Sequence, residues 1–432
     1  MLKAFKKLWN DRRGNALVIA GAALPLVVGA AGLATDTIQW ALWKRQLQRA
    51  ADSAALAGVY DRIANDSSTS NVATAVADDL SRHNHTNIPL LAGYPEIDYP
   101  NGTNWTNPVR VELALQRTLG FSSLFMSSAP VITTRATAAT VATGVYCVIS
   151  LIDTSETGIK STGNGDIDLG CGMITNSTSL TAAIATGSSE VNATPVAAVG
   201  DIQGSNNWGG AELLPFTVKQ PDPYADINPP ASFTPCKGNA NRIRINNQND
   251  VIDRRADTGL QCVSEIDVNG TLRLGSATYI IDGGNFSAGA QAKISCTGCT
   301  IILTNSDLTD NDGGPPPIGT VSINGGAEMI MSAPDGGDYE GILFYQDRRA
   351  EMGSNIVNTI NGNSDSVLGG AFYFPNQQLQ INGNAGLDFD CGKFVSYVVE
   401  FAGNGSINNT IDATCAAGGD DGFMGRHVRL VA

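Results

Sequence analysis

The sequence predicts an N-terminal transmembrane helix that extends into a small α+β unit, followed by an all-β C-terminal domain. A right-handed parallel β-helix is favoured for that domain, with a β-sandwich as the alternative. Three observations lead there. The run from Asn15 to Ala34 contains no charged residue. A helical pattern without proline continues from Asp36 to Tyr60. From about residue 144, short β-rich runs alternate with Gly, Asn, Ser and Thr clusters, and cysteines recur at near-constant spacing.

The apolar run is the sharpest of these signals. Asn15, Leu17, Ile19, Leu24, Pro25, Val28 and Leu33 belong to it. At about 1.5 Å per residue a helix of this length spans roughly 30 Å, the thickness of a bilayer core. Pro25 removes one backbone hydrogen bond, which membrane helices tolerate. A cleavable signal has a shorter apolar run and a small-x-small exit, for which Ala31–Ala34 is only a loose match. Lys3, Lys6, Lys7, Arg12 and Arg13 precede the run, opposed only by Asp11. Positive charge of this kind stays cytoplasmic, so the N-terminus is expected inside and the body outside. Residues 1–49 hold eight Lys/Arg against two Asp, yet the whole chain carries a net charge of -14. A basic stub on an acidic body excludes nucleic acid as a partner, because most of the surface repels phosphate.

Beyond the run, Leu47, Ala51, Ala54 and Gly58 recur at helical spacing and form a narrow face of small residues. Such a face lets a neighbouring helix or sheet approach closely, and packing inside the chain is the plainer reading of it. Trp40 and Trp43 stand where aromatic side chains favour the headgroup region. Anchor and extension together make one helix of about 50 residues, roughly 75 Å long.

The order of these features carries a resemblance. Arg12-Arg13-Gly14-Asn15, the apolar run with Leu24-Pro25, Asp36, and then Gln46, Leu47, Ala50, Ala51, Asp52, Ala54 and Ala55 resemble the N-terminal region of the TadG-like proteins. These are assembly components of the Flp (tight-adherence) pilus system of bacteria. The resemblance covers about residues 10–60. It implies a single-pass anchor in the bacterial inner membrane, and protein partners in pilus assembly or secretion. Prepilin-like relatives are cut after a glycine and carry Glu at the fifth mature position. If Gly14 were that glycine, the fifth position is Ile19, which speaks against processing and filament incorporation.

The chain then divides into a basic stub and anchor (1–35), a long helix with a small α+β unit (36–143), and a β-rich extracytoplasmic domain (144–432). In the middle section Asn71–His83 reads as a short amphipathic helix, and 110–117 and 131–141 read as strands. A long helix followed by a few strands is a pilin-like plan, in part by analogy with the resembled family. His83 and His85 lie two residues apart, which does not place two ligands together on a helix.

In the last section the β-rich runs begin at Val145, Ala277, Thr300, Thr320, Gly341, Gly370, Leu379 and Phe394, and Asn-Gly pairs at 324, 361 and 382 mark tight turns. Cys147 and Cys171 are 24 residues apart, Cys236 and Cys262 are 26 apart, and Cys391 and Cys415 are 24 apart. One coil of a parallel β-helix takes a similar number of residues, and coils stack about 4.8 Å apart. Cysteines one coil apart would meet the Cα separation a disulfide needs, so three coil-to-coil bridges are expected, with Cys296–Cys299 as a tight local one. Cysteines confined to the body fit an oxidising compartment.

Other chemistry is weakly supported. Cys296-Thr-Gly-Cys299 is a lone CxxC, short of the four ligands of structural zinc. The Asp307–Gly314 loop resembles a calcium site but has Val321 where an EF-hand needs Glu, and Asp335–Asp338 and Asp420-Asp421 read as solvated turns. His427 is the only histidine of the body, there is no GxSxG elbow, and Gly204–Gly209 lacks the Lys of a P-loop. No cofactor and no enzymatic activity are expected. The leading expectation is a non-catalytic envelope protein presenting a β domain to protein or surface partners. The alternative is a membrane-tethered β-helix protein that binds or degrades polysaccharide, to be recognised by a groove of Tyr, Trp and carboxylates. Arg242, Arg244, Arg254 and Arg255 are left open between contacts and solubilising charge.

Overall fold

The computed structural model describes residues 15–65, 67–83, 89–204, 206–309, 313–383, 386–411, 415 and 423–431, with side chains in the first helix from Val18 onward. Arg13, Gly14, His85, Asp310–Asp312 and Asp420-Asp421, and the side chains of Asn15 and Leu17, lie outside the described residues. The chain forms two units, residues 1–141 with 428–432, and residues 142–427. The end of the last strand therefore belongs with the first unit, where the Val431 amide donates to the Thr137 carbonyl at 2.8 Å.

In the first unit the apolar run and its extension are one helix, α1 (Asn15–Ala64), with Pro25 inside it. A second helix, α2 (Val72–His83), packs on its C-terminal half. Three strands, β1 (Glu96–Asp98), β2 (Thr106–Gln116) and β3 (Val131–Ser150), form an antiparallel sheet with β2 in the centre. The small-residue face of α1 is core: Leu47, Ala51, Ala54, Ala55 and Val59 are fully buried. At Gly58 a Cβ would stand 2.8 Å from Val109 and 3.2 Å from Val72, so the glycine is what lets helix and sheet close. Burial inside the unit accounts for this face without an intermolecular partner.

The second unit is a coil of parallel strands arranged on three faces. On the first face the ladder runs through 259–263, 277–282, 300–304, 342–346, 371–374 and 393–396. It continues into 148–150, 172–175, 196–198 and 213–214. The second and third faces show the same progression, from 242–245 to 183–185 and from 251–254 to 191–192. Strand 387–402 is the junction: Phe394 lies opposite Val148, Val399 opposite Ile159, and, through 407–410, Ile407 opposite Ile167. Spatial order is thus not chain order. The coils of 148–214 stack on the last coil of 242–411, the reverse of what simple winding from residue 144 gives.

The interior follows from strand alternation. Phe344, Phe372 and Phe394 point inward from successive coils, with Phe344–Phe372 and Phe372–Phe394 stacked at 5.6 and 5.5 Å between ring centroids. Their neighbours Tyr345, Tyr373 and Val395 point outward and are buried as well. Burial on both sides explains why these strands read as continuous apolar runs. Tight corners use glycine where a side chain has no room: Gly163, at φ +114°, would bring a Cβ to 2.2 Å from the Gly403 carbonyl one coil away.

What covers the outer side of the first face is an irregular strap, residues 215–241, returning from the last coil to the first. The Tyr339 and Tyr345 hydroxyls donate to the Asn228 and Ile227 carbonyls, each at 2.7 Å. The Tyr373 hydroxyl donates to Asp222 at 2.6 Å. Arg348 donates to the Ile227 carbonyl at 2.8 Å and also to the Tyr224 carbonyl. Further along, Asn176 and Gln220 exchange a reciprocal pair of hydrogen bonds of 2.8 Å.

Four disulfides join Cys147–Cys171, Cys236–Cys262, Cys296–Cys299 and Cys391–Cys415, with Cα separations of 5.8, 5.9, 6.1 and 5.4 Å. One of them differs in kind from the expected coil-to-coil bridge. Cys236 lies on the strap, so its disulfide pins the strap to strand 259–263.

Candidate functional site

The N-terminal half of α1 exposes one large apolar side chain after another: Val18, Ile19, Leu24, Leu26, Val27, Val28 and Leu33 are each more than half exposed. Each such side chain left in water forgoes about 1.5–3 kcal/mol of burial, so a run of them calls for an apolar surrounding. The helix is long and apolar enough to cross a membrane. Pro25 sits within it, where a helix in lipid or against a neighbour can accommodate the lost hydrogen bond.

The exit from the apolar run is built in detail. Asp36 is 98 % buried although it stands only two residues past Ala34. Its carboxylate accepts the amides of Phe121 at 3.0 Å and Ser122 at 2.5 Å, and the Ser122 hydroxyl at 2.6 Å. The Phe121 ring fills the space over Gly32, where a Cβ would be 2.3 Å from it. Lys44 stands 5.2 Å from the Trp40 ring and Arg117 stands 5.4 Å from the Trp43 ring. Aromatic rings with cations beside them suit a headgroup layer, where one end of each group is wet and charged.

Replacing Asp36 with Ala leaves two amides and a hydroxyl without their acceptor. Each orphaned buried donor costs about 1–3 kcal/mol. The expected result is faster hydrogen exchange at the Phe121 and Ser122 amides in the detergent-solubilised protein, by about tenfold or more. Unchanged exchange would show that the carboxylate does not hold this loop.

The remaining motif positions have structural roles around the same helix. Leu47, Ala51, Ala54 and Ala55 face the core, while Gln46 is exposed and Ala50 half-buried. Asp52 accepts the Gln48 side-chain amide at 2.8 Å, and that amide also reaches the Arg135 carbonyl at 3.0 Å, tying α1 to β3. Ser53 donates to Asp79 of α2 at 3.0 Å.

The residues considered for other chemistry are occupied elsewhere. All eight cysteines are in disulfides, so the two places among the described residues where cysteines meet a carboxylate, Asp282 and Asp390, offer no thiolate to a metal. His83 is the last residue of α2, and His427 lies in strand Phe423–Leu430. Arg242 and Arg244 pair with Glu265 and Asp267 of the next coil, and Arg254 and Arg255 pair with Asp257 and Asp253. The Arg255 hydrogen bonds hold the exposed Asp253 carboxyl at about 2. Burial raises the hydroxyl pKa of Tyr345 and Tyr373, and lifts Tyr339 to about 12, which keeps these strap-binding groups neutral donors.

Two features were not legible beforehand. One is the strap, which has no periodicity of its own. The other is the loop Gly120–Pro130, whose only sequence signal is Leu124-Phe125-Met126 inside a stretch of Ser and Gly.

Comparison with known proteins places the match where the helix is. Residues 14–65 match the family model described as Flp pilus-assembly TadE/G-like. That interval is α1 and little else, about an eighth of the chain. No curated protein and no solved structure matches the sequence significantly.

Proposed function

We propose, from the coincidence of that family match with the exposed apolar helix, that this chain is a non-catalytic envelope protein of Flp/Tad-type pilus assembly or secretion. One N-terminal helix holds it in the inner membrane, with the N-terminus cytoplasmic and both units beyond the anchor extracytoplasmic. Its coiled β domain presents lateral surfaces to protein partners.

The observation that carries this reading is the match over residues 14–65 to a pilus-assembly family, falling on the helix with the unburied apolar run. The basic residues before that run support the orientation. Four disulfides in the body support an oxidising compartment. The row of side chains a glycan groove would use, Tyr339, Tyr345 and Tyr373, is covered by the strap and spent on hydrogen bonds to it. That favours contacts with proteins over a carbohydrate role.

The test is membrane topology. A tag after residue 432 is expected to be accessible from outside the inner membrane, with the protein uncut and resistant to carbonate extraction. A soluble product shortened near Gly14 or Ala34 would sink the anchored reading in favour of a released or filament-incorporated protein.

A further inference from the structure

The loop following β2 leaves three large apolar side chains in the open: Leu124, Phe125 and Met126 are 74 %, 76 % and 49 % exposed. No residue from Gly120 to Pro130 is charged. In a domain with an ordinary aqueous surface such a cluster has a cost, and here its position accounts for it.

Phe121 lies over Gly32, and its ring edge reaches within 4.0 Å of the space a Cβ would take at Gly29. Phe125 packs against Phe121, with ring centroids 5.3 Å apart and the planes tilted by 56°. The apolar tip is thereby fixed at the level of Gly29 to Asp36, the last turns of the apolar run. Trp40 lies eight residues beyond Gly32, about 12 Å further along the axis. The tip is thus on the hydrocarbon side of the tryptophan and cation layer formed by Trp40, Trp43, Lys44 and Arg117. Backbone polar groups at that depth need partners inside the protein. Asp36 supplies them to Phe121 and Ser122. A buried carboxylate otherwise out of place beside a membrane segment is explained as the device that closes this loop.

We propose that residues 121–126 form a second membrane contact, a wedge inserted into the leaflet from which α1 emerges, with lipid acyl chains as its occupant. Continuity with the helix decides for lipid over another protein: the tip is packed on the same turns that the bilayer surrounds. The wedge sets the tilt and rotation of α1 and fixes the first unit against the membrane surface. This inference rests on the reading that α1 crosses the bilayer, and its test separates the two.

Single cysteines replace Phe125, Val28 and Ala73 in the full chain, whose native cysteines are all paired. Val28 is exposed in the apolar run, and Ala73 is exposed on α2 at the other end of α1. Each variant is labelled with bimane without reduction and reconstituted in phosphatidylcholine–phosphatidylglycerol vesicles carrying doxyl-labelled phosphatidylcholine. The expected result is loss of fluorescence at positions 28 and 125, with none at 73. Loss at 28 alone, with 125 open to aqueous iodide, overturns the wedge and keeps the anchor. Loss at 28 with 125 shielded from both quenchers overturns it in favour of a protein occupant. No loss at 28 removes the anchor and the wedge together.

Discussion

Replacing Phe372 with Ala is expected to lower stability by about 3–5 kcal/mol, among the largest effects of any single substitution in the coiled unit. Phe372 is fully buried, stacked between Phe344 and Phe394 and edge-on to Phe389 at 5.5 Å. Removing the ring takes away apolar burial and three ring contacts at once. The coils above and below are tied by ladder hydrogen bonds at fixed spacing, so the cavity cannot collapse by bringing them together. The check is the denaturant midpoint of the solubilised full chain, read beside Leu308→Ala. Leu308 is exposed, and its variant is expected to stay within about 0.5 kcal/mol of the parent. Equal midpoints for the two would mean that the ring stack does not hold the coils.

Much of this architecture was readable in advance, for physical reasons that particular residues illustrate. The uncharged run from Asn15 to Ala34 and the small-residue spacing of Leu47, Ala51, Ala54 and Gly58 reflect local periodicities, which a sequence displays directly. Strand-like runs such as 370–374 and 394–401 were visible in the sequence, because both of their sides are buried and so rich in apolar residues. Residues 172–214 were harder: strands such as Ala183–Ala185 and Val196–Ala198 are three residues long and rich in alanine, too short for any period to show. Stacking order was not legible at all. Nothing local in Val148 says that its partner is Phe394 instead of a residue in the next winding of the chain. The site behaved likewise. The anchor is a property of a contiguous run, whereas the Asp36–Ser122 contact joins residues distant in sequence.

The second large effect concerns the strap. Replacing both Cys236 and Cys262 with Ser is expected to destabilise the coiled unit by about 2–5 kcal/mol, the usual range for a native disulfide. The bridge holds residues 26 positions apart and pins the strap where the first coil begins. Near that point the Cys236 amide also donates to the buried carboxylate of Asp282 at 3.1 Å, and Asp282 takes the Ser306 amide at 2.7 Å. Loosening this end exposes the outward residues of the first face, Ile280 and Ile302 among them, which are buried in the native unit. The measurement is protection from a protease across residues 228–241, compared with the parent under non-reducing conditions. Cleavage as slow as in the parent would show that the hydrogen bonds along the strap suffice without the disulfide.

The displaced stacking order has a consequence for the sequence of events in synthesis. Residues 148–214 are made, and on the proposed topology exported, before 242–411, and domains tend to fold in that order. Here the early coils emerge with one flank unmatched: strand 148–150 gains its outer neighbour only when 393–396 has been made. Until then it is a bare strand edge, the kind of surface that recruits strands from other chains. Closing this seam means joining segments far apart along the polymer, which slows folding relative to a solenoid that winds up in register with its own translation. A chain interrupted before residue 387 can complete most of its turns and still lack the one that seals them.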